Sequence, residues 1–95
     1  MTTTYLSLLT LTDEGAREIR QSPKRAMAWR EEVETEGVKL LAQLWTAGVY
    51  DGALILQGEE VNVLGALARL AARGNVRPHT LRAFDAKDFA NIIDR

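Results

Sequence analysis

The sequence contains no cysteine and a single histidine, His79. The lack of cysteine excludes disulfides, thiolate metal sites, cysteine nucleophiles and iron–sulfur clusters. A metal site would need several Asp or Glu ligands around that one histidine, so we expect none. The sequence also lacks a Gly-rich phosphate loop and a Gly-x-Ser-x-Gly elbow, and we therefore expect no cofactor.

The chain also lacks a charge excess and a long apolar run. Its 12 basic and 13 acidic residues give a net charge of -1. A nucleic-acid-binding protein usually carries a basic excess or a basic stripe, so we expect no nucleic-acid partner. No segment approaches the ~20 apolar residues of a transmembrane helix, and residues 1–4 carry no basic side chain, unlike a signal peptide. The lack of cysteine predicts a cytoplasmic protein, and the lack of an apolar run and of a basic stripe predicts that it does not bind membranes.

The length of 95 residues and the 46% of hydrophobic residues predict one globular domain, residues 1–95. A chain this short has a thin core, because it buries only about two-thirds of the surface that its unfolded form exposes. Oligomerisation is a common way to bury more. We therefore expect the chain to associate with itself.

Apolar patterning and turn signals predict alternating strands and helices. Thr12 and Asp85 are expected helix N-caps, and Ser22 is an expected N-cap where Ser22-Pro23 breaks the first helix. Gly37 is expected in the left-handed conformation that ends a helix. Pro78 cannot donate to a ladder, so its strand should lie at a sheet edge. The predicted strands are residues 5–11, 38–46, 53–57 and 76–84, and the predicted helices are residues 12–21, 23–36, 59–73 and 85–95.

This order predicts an α+β fold, a ferredoxin-like βαββαβ sandwich with a kinked first helix and a short C-terminal helix. Both long helices would cover one face of the sheet and leave the other open. Strand alternation places Leu41 and Trp45, with Leu54, on that open face, or else their neighbours if the register shifts by one residue. We expect a second copy to cover this face in a dimer or a higher homo-oligomer.

Helical spacing also predicts which faces are buried. In the helix of residues 23–36, Ala26, Trp29 and Val33 share one face. In the helix of residues 59–73, helical spacing groups four apolar residues on a predicted core face. They are Val61, Leu64, Ala68 and Ala71.

Several separated segments resemble the GYD domain family. The resemblance implies a small protein of the dimeric α/β barrel type and specifies no particular activity. The family's fourth strand usually opens Val-Arg-Thr-Glu-Thr, whereas residues 76–80 here read Val-Arg-Pro-His-Thr. The matching segments are the strand that opens at Tyr5, Thr-Asp-Glu-Gly at 12–15, Ser-Pro-Lys-Arg-Ala at 22–26, Trp-Thr-Ala-Gly-Val-Tyr-Asp at 45–51, Gly-Asn-Val-Arg at 74–77 and Thr-Leu-Arg-Ala-Phe at 80–84.

Asp51 and His79 are the candidate acid–base residues. Asp51 follows Tyr50 in a Gly-x-Tyr-Asp-Gly segment, which is also strong turn chemistry, so Asp51 can instead close the turn through the backbone. His79 can carry a proton near neutral pH, but a lone histidine on an edge strand is more often a surface residue. No catalytic role is assigned to either residue.

Tyr50, Asp51, Trp45 and Arg82 are the candidate ligand-binding residues. An arginine fork suits a carboxylate or a phosphate, and a tryptophan can stack on a ligand, although packing is the more common role of tryptophan. Arg77 and Arg82 should lie on opposite faces of their strand. Lys24-Arg25 at a helix start could hold an anion, but we favour a solvated charge pair there.

Three functions remain open from the sequence. The first is a module that binds a small molecule in the cleft between the sheet and a second copy, or that acts as a regulator. The second is a cofactor-free dimeric α/β barrel enzyme, an isomerase or monooxygenase with Asp51 or His79 as base. The third is a purely structural protein, against which an unfilled pocket above ~300 Å³ would count.

Overall fold

The computed structural model describes residues 2–94. It confirms an α+β chain with the expected alternation of strands and helices. Arg95, the last residue of the predicted C-terminal helix, lies outside the described residues. The elements are β1 (Thr3–Leu11), α1 (Asp13–Arg17), a 3-10 helix (Ile19–Gln21), α2 (Ser22–Thr35), β2 (Lys39–Trp45), β3 (Gly52–Gly58), α3 (Glu60–Ala72), β4 (Val76–Ala83) and α4 (Ala86–Ile93).

The four strands form one antiparallel sheet with the order β2-β3-β1-β4. This is the order that two interleaved strand-helix-strand units produce, and it establishes the ferredoxin-like fold. β4, which contains Pro78, lies at an edge as predicted, and β3 lies in the centre. None of the helices in residues 2–94 combines the length and the apolar character needed to cross a bilayer.

Local signals place most helix ends correctly. The Thr12 side chain accepts a hydrogen bond from the Gly15 amide, and Asp85 accepts one from the Asp88 amide. Gly37 has a positive φ of 82° after α2. The N-cap prediction for Ser22 was wrong, because Ser22 is the first residue of α2 and Gln21 precedes it without a side-chain cap.

The core lies between one sheet face and the helices α2 and α3. Tyr5 of β1, Leu54 and Leu56 of β3, and Trp29 and Val33 of α2 are all buried. The predicted buried face of α2 is therefore confirmed for Trp29 and Val33. Fully burying one such apolar side chain stabilises the fold by about 1.5–3 kcal/mol, so this cluster is the main stabilising contact.

The predicted buried face of α3 was wrong. Val61 is 78% exposed and Leu64 is 44% exposed, whereas Val63, Ala66 and Leu67 are buried. α3 carries apolar residues around most of its circumference, so helical spacing alone does not select the face that meets the sheet. Packing against β3 and β4 makes that selection.

No helix within residues 2–94 covers the other sheet face, on which Leu44 and Leu81 are exposed, and we refer to it as the open face. Along β3, buried residues alternate with half-exposed ones, and the half-exposed residues point to this face. Leu54 points to the helices and is buried, so its expected place on the open face was wrong. The apolar residues of the open face are Leu6, Leu8, Ala42, Leu44, Ala53, Ile55, Leu81 and Ala83.

Candidate functional site

Trp45 lies on the helix side of the sheet, and its expected place on the open face was wrong. The register between β2 and β3 shifts between Leu40 and Ala42, where Leu41 forms a bulge. One extra residue in a strand moves every later side chain to the opposite face. Trp45 consequently lies opposite Gly52, and its indole nitrogen donates a hydrogen bond to Ser22 Oγ in α2, 3.0 Å away.

Asp51 ties the hairpin between β2 and β3 to the end of β1. Its carboxylate oxygen Oδ2 accepts a hydrogen bond from the Leu11 amide at 2.8 Å. Its backbone amide donates to the Leu9 carbonyl at 2.7 Å, and its carbonyl accepts from the Thr46 amide at 3.0 Å. These contacts extend the sheet past the end of β3 and give Asp51 a structural role.

Tyr50 and His79 meet at one end of the open face. Their ring centroids are 5.9 Å apart, with the ring planes inclined at 60°. His79 Nε2 lies 3.2 Å from Thr10 Oγ1, and Arg77 lies opposite Thr10 on the same face. The sequence did not indicate that Tyr50 and His79 would be in contact, because the pairing of β1 with both β3 and β4 brings them together.

Arg82 lies far from this end of the sheet. It pairs with Tyr5, four residues from Leu9 along β1, which corresponds to about 13 Å of extended strand. Its guanidinium carbon lies 5.5 Å from the centre of the Tyr5 ring and 5.1 Å from that of Phe84. Arg82 therefore stacks on two aromatic rings on the helix side, while Arg77 lies on the open face, as their spacing predicted.

The four candidate ligand-binding residues thus separate into three places. Trp45 and Asp51 border a cavity between the sheet and the helices, Tyr50 meets His79 on the open face, and Arg82 lies at the other end of β1. Within residues 2–94, no group of three or more Asp, Glu and His side chains could hold a metal ion.

The cavity measures about 380 Å³ and opens to solvent between α2, the 3-10 helix and the end of the sheet. Its lining is mainly apolar, with Leu9, Leu54 and Trp45 among the residues that line it. Two arginines also border it, Arg25 of α2 and Arg73 after α3. Lys24 is exposed, as expected for a solvated charge pair, whereas Arg25 is half-buried at the edge of the cavity.

Two polar cavity residues that the sequence did not mark as site residues are Gln43 and Ser22. Gln43 reached the helix side through the same bulge that moved Trp45, and its Nε2 donates to the Ala26 carbonyl at 3.1 Å. The sequence marked Arg25 as a possible anion ligand but contained no signal that would place it beside Trp45.

The fold and these surfaces define a class of small ferredoxin-like domains with an apolar cavity on one side of the sheet and an open apolar face on the other. A family model described as GYD domain matches residues 5–93, and the chain belongs to the GYD domain family. This confirms the resemblance of the separated sequence segments.

A relative from Thermus thermophilus is 36% identical over 87 residues. The match covers 90% of this chain and 92% of the relative. That protein is named glutamine synthetase and cystathionine beta-lyase binding protein.

Proposed function

We propose that this protein is a non-catalytic, self-associating module of the cytoplasm that binds and regulates a metabolic enzyme. The observation that carries this proposal is the relative named for binding glutamine synthetase and cystathionine beta-lyase. The match spans about nine-tenths of both chains, so the whole domain corresponds to a protein named as a binding partner of enzymes.

The open face supports self-association. Leu44 is 58% exposed and Leu81 is 53% exposed, and Ile55 between them is half-buried. Contiguous apolar surface of this kind marks an interface, and a two-fold axis that lies in the interface, parallel to the sheet, would place the same patch of a second copy against it. Polar residues at the ends of the face, such as His79 and Gln57, would then form the rim of the interface.

α4 supports a separate contact with the enzyme. No residue of this helix is buried, although Phe89, Ile92 and Ile93 form an apolar stripe at helical spacing. Lys87 and Asn91, four residues apart, lie on the opposite, polar side. An amphipathic helix of this type binds a partner by placing its apolar side in a groove.

The enzyme alternative receives less support from the site geometry. One carboxylate oxygen of Asp51 already accepts the Leu11 amide, and His79 is exposed on the opposite side of the sheet. Of the two candidate bases only Asp51 borders the cavity, and its hydrogen bond to the Leu11 amide favours a structural role there. The purely structural alternative is disfavoured by the cavity of about 380 Å³, which exceeds the ~300 Å³ at which ligand sites begin.

The test is binding of purified glutamine synthetase and cystathionine beta-lyase, taken from the same organism as this chain, to the immobilised protein. We expect at least one enzyme to bind, and Ile92→Glu to weaken that binding at least tenfold without changing the oligomer. Asn91→Glu, which adds the same single negative charge on the polar side of α4, is the matched control and should bind like the wild type. Failure of both enzymes to bind would refute the enzyme-binding proposal.

A further inference from the structure

We propose that the cavity between the sheet and α2 binds a small monocarboxylic acid with an apolar body, and that Arg25 holds its carboxylate. The cavity volume of about 380 Å³ lies at the lower end of the ~300–1,000 Å³ range of small-molecule sites. This site lies on the helix side of the sheet and is separate from the open face and from α4.

The walls of the cavity suit an apolar body. Leu9, Leu54 and Leu70 line it together with the ring of Trp45. The indole nitrogen of Trp45 is already bonded to Ser22, so the tryptophan offers the cavity its apolar surface. The Gln43 amide nitrogen is likewise bonded to the Ala26 carbonyl. A ligand with many polar groups would therefore find few free partners in this part of the cavity.

Arg25 supplies the charge that selects an acid. Its Nη1 donates to the Glu18 carbonyl at 3.2 Å, and it forms no ion pair with any residue in 2–94. Arg73, which also borders the cavity, is paired with Glu32. A guanidinium has five N–H donors, so Arg25 retains donors for a carboxylate in a half-buried position where the charge is not neutralised.

Asp51 restricts the ligand to one negative charge. It borders the same cavity, and its carboxylate carries no paired cation among residues 2–94. A second acidic group on the ligand would meet this charge in a partly desolvated site, where repulsion between like charges is costly. The geometry thus selects a monocarboxylate over a dicarboxylate or a phosphate.

The first experiment uses 3-phenylpropionate as the probe and neutral 3-phenylpropionamide as its control. The sequence contains two tryptophans, Trp29 and Trp45, and both line the cavity, so their indole N–H signals in a ¹H–¹⁵N spectrum report its occupancy. We expect the acid to shift the Trp45 signal and the amide to bind about tenfold or more weakly, because hydrogen bonds to charged groups are the stronger ones. The absence of any indole shift with the acid into the millimolar range would overturn the proposal.

Two variants separate the charge from the cavity. Arg25→Gln should weaken binding of the acid about tenfold and leave binding of the amide unchanged. Unchanged binding of the amide would also show that the variant is folded. Arg20→Gln removes an exposed arginine outside the cavity and should bind like the wild type. Ala26→Leu should fill the cavity and abolish binding of both probes. Equal affinity of Arg25→Gln and wild type for the acid would refute the role of Arg25.

These measurements use the protein without an enzyme partner. A failed ligand titration would therefore refute the cavity proposal and leave the enzyme-binding proposal standing. Shifts confined to the amides of Leu6, Leu8 and Ile55 would instead place the probe on the open face and would also refute the cavity proposal.

Discussion

Gly15 lies directly against the backbone of Asn75. A β-carbon on Gly15 would overlap the Asn75 carbonyl oxygen and lie 2.9 Å from its carbonyl carbon. The same carbonyl accepts a hydrogen bond from the Thr12 amide at 3.1 Å. The start of α1 therefore packs against the turn between α3 and β4, and two of the segments on which the resemblance to the family rests form one contact.

Gly15→Ala should destabilise the protein by about 3 kcal/mol, the upper part of the range for overpacked sites. The added methyl group would meet backbone atoms, which cannot move aside as a flexible side chain can. Urea denaturation followed by circular dichroism measures the change in the free energy of unfolding.

Gly65→Ala is the matched control for this substitution. A β-carbon at Gly65 would meet only the far end of the Arg69 side chain, at 3.2 Å. We expect Gly65→Ala to stabilise the protein by about 0.5–1 kcal/mol, because alanine is a better helix former than glycine. If Gly15→Ala and Gly65→Ala lower the free energy of unfolding by similar amounts, the proposed backbone overlap at Gly15 is wrong.

Asp51→Ala should destabilise the protein by about 1–3 kcal/mol, because it leaves the Leu11 amide without its acceptor. Asp51→Asn retains a side-chain oxygen at the same position, so its free energy of unfolding should fall clearly less than that of Asp51→Ala. Thermal and urea unfolding of the two variants distinguish them. If both variants unfold like the wild type, the structural role assigned to Asp51 is wrong.

Trp45 and Ser22 should be energetically coupled. Trp45→Phe and Ser22→Ala each remove one partner of the hydrogen bond between the indole and the hydroxyl group. In a double-mutant cycle we expect a coupling energy of about 0.5–1.5 kcal/mol, the usual net contribution of such a bond. A coupling energy of zero would contradict the placement of Trp45 on the helix side.

Ile55→Glu should dissociate the proposed oligomer, because it places a charge in the centre of the open face. Val61→Glu makes the same change at an exposed residue of α3, on the other side of the molecule, and should leave the oligomer intact. Size-exclusion chromatography with light scattering measures the mass of the wild type and of each variant in solution. A monomeric wild type would refute self-association through the open face.

Much of the fold could be predicted from the sequence because its signals are local. Thr12 and Asp85 cap helices through hydrogen bonds that span three residues, and Gly37 adopts a conformation that depends on its own missing side chain. Pro78 keeps its own strand, β4, out of the centre of the sheet, because proline has no amide hydrogen to donate to a neighbouring strand. The order of strands and helices then leaves few topologies, and the ferredoxin-like one is observed.

The candidate site could be predicted less well, because its geometry depends on faces and registers. The single residue Leu41 forms a bulge that moved both Gln43 and Trp45 to the helix side, and nothing in their alternating pattern marks that bulge. The buried face of α3 was likewise mistaken, because apolar residues surround that helix and only packing against the sheet distinguishes Val63 from Val61.

The sequence by itself determined the type and order of the elements, the edge position of β4 and the absence of thiol chemistry. The tertiary structure alone decided that Arg25 and Trp45 share a cavity while Tyr50 meets His79 on the other face of the sheet. The physical reason is the distance along the sequence over which each feature is decided. Caps, turns and the edge position of a strand depend on residues that are close together in the sequence. Which side chains share a site depends instead on the strand register and on how all the helices pack together.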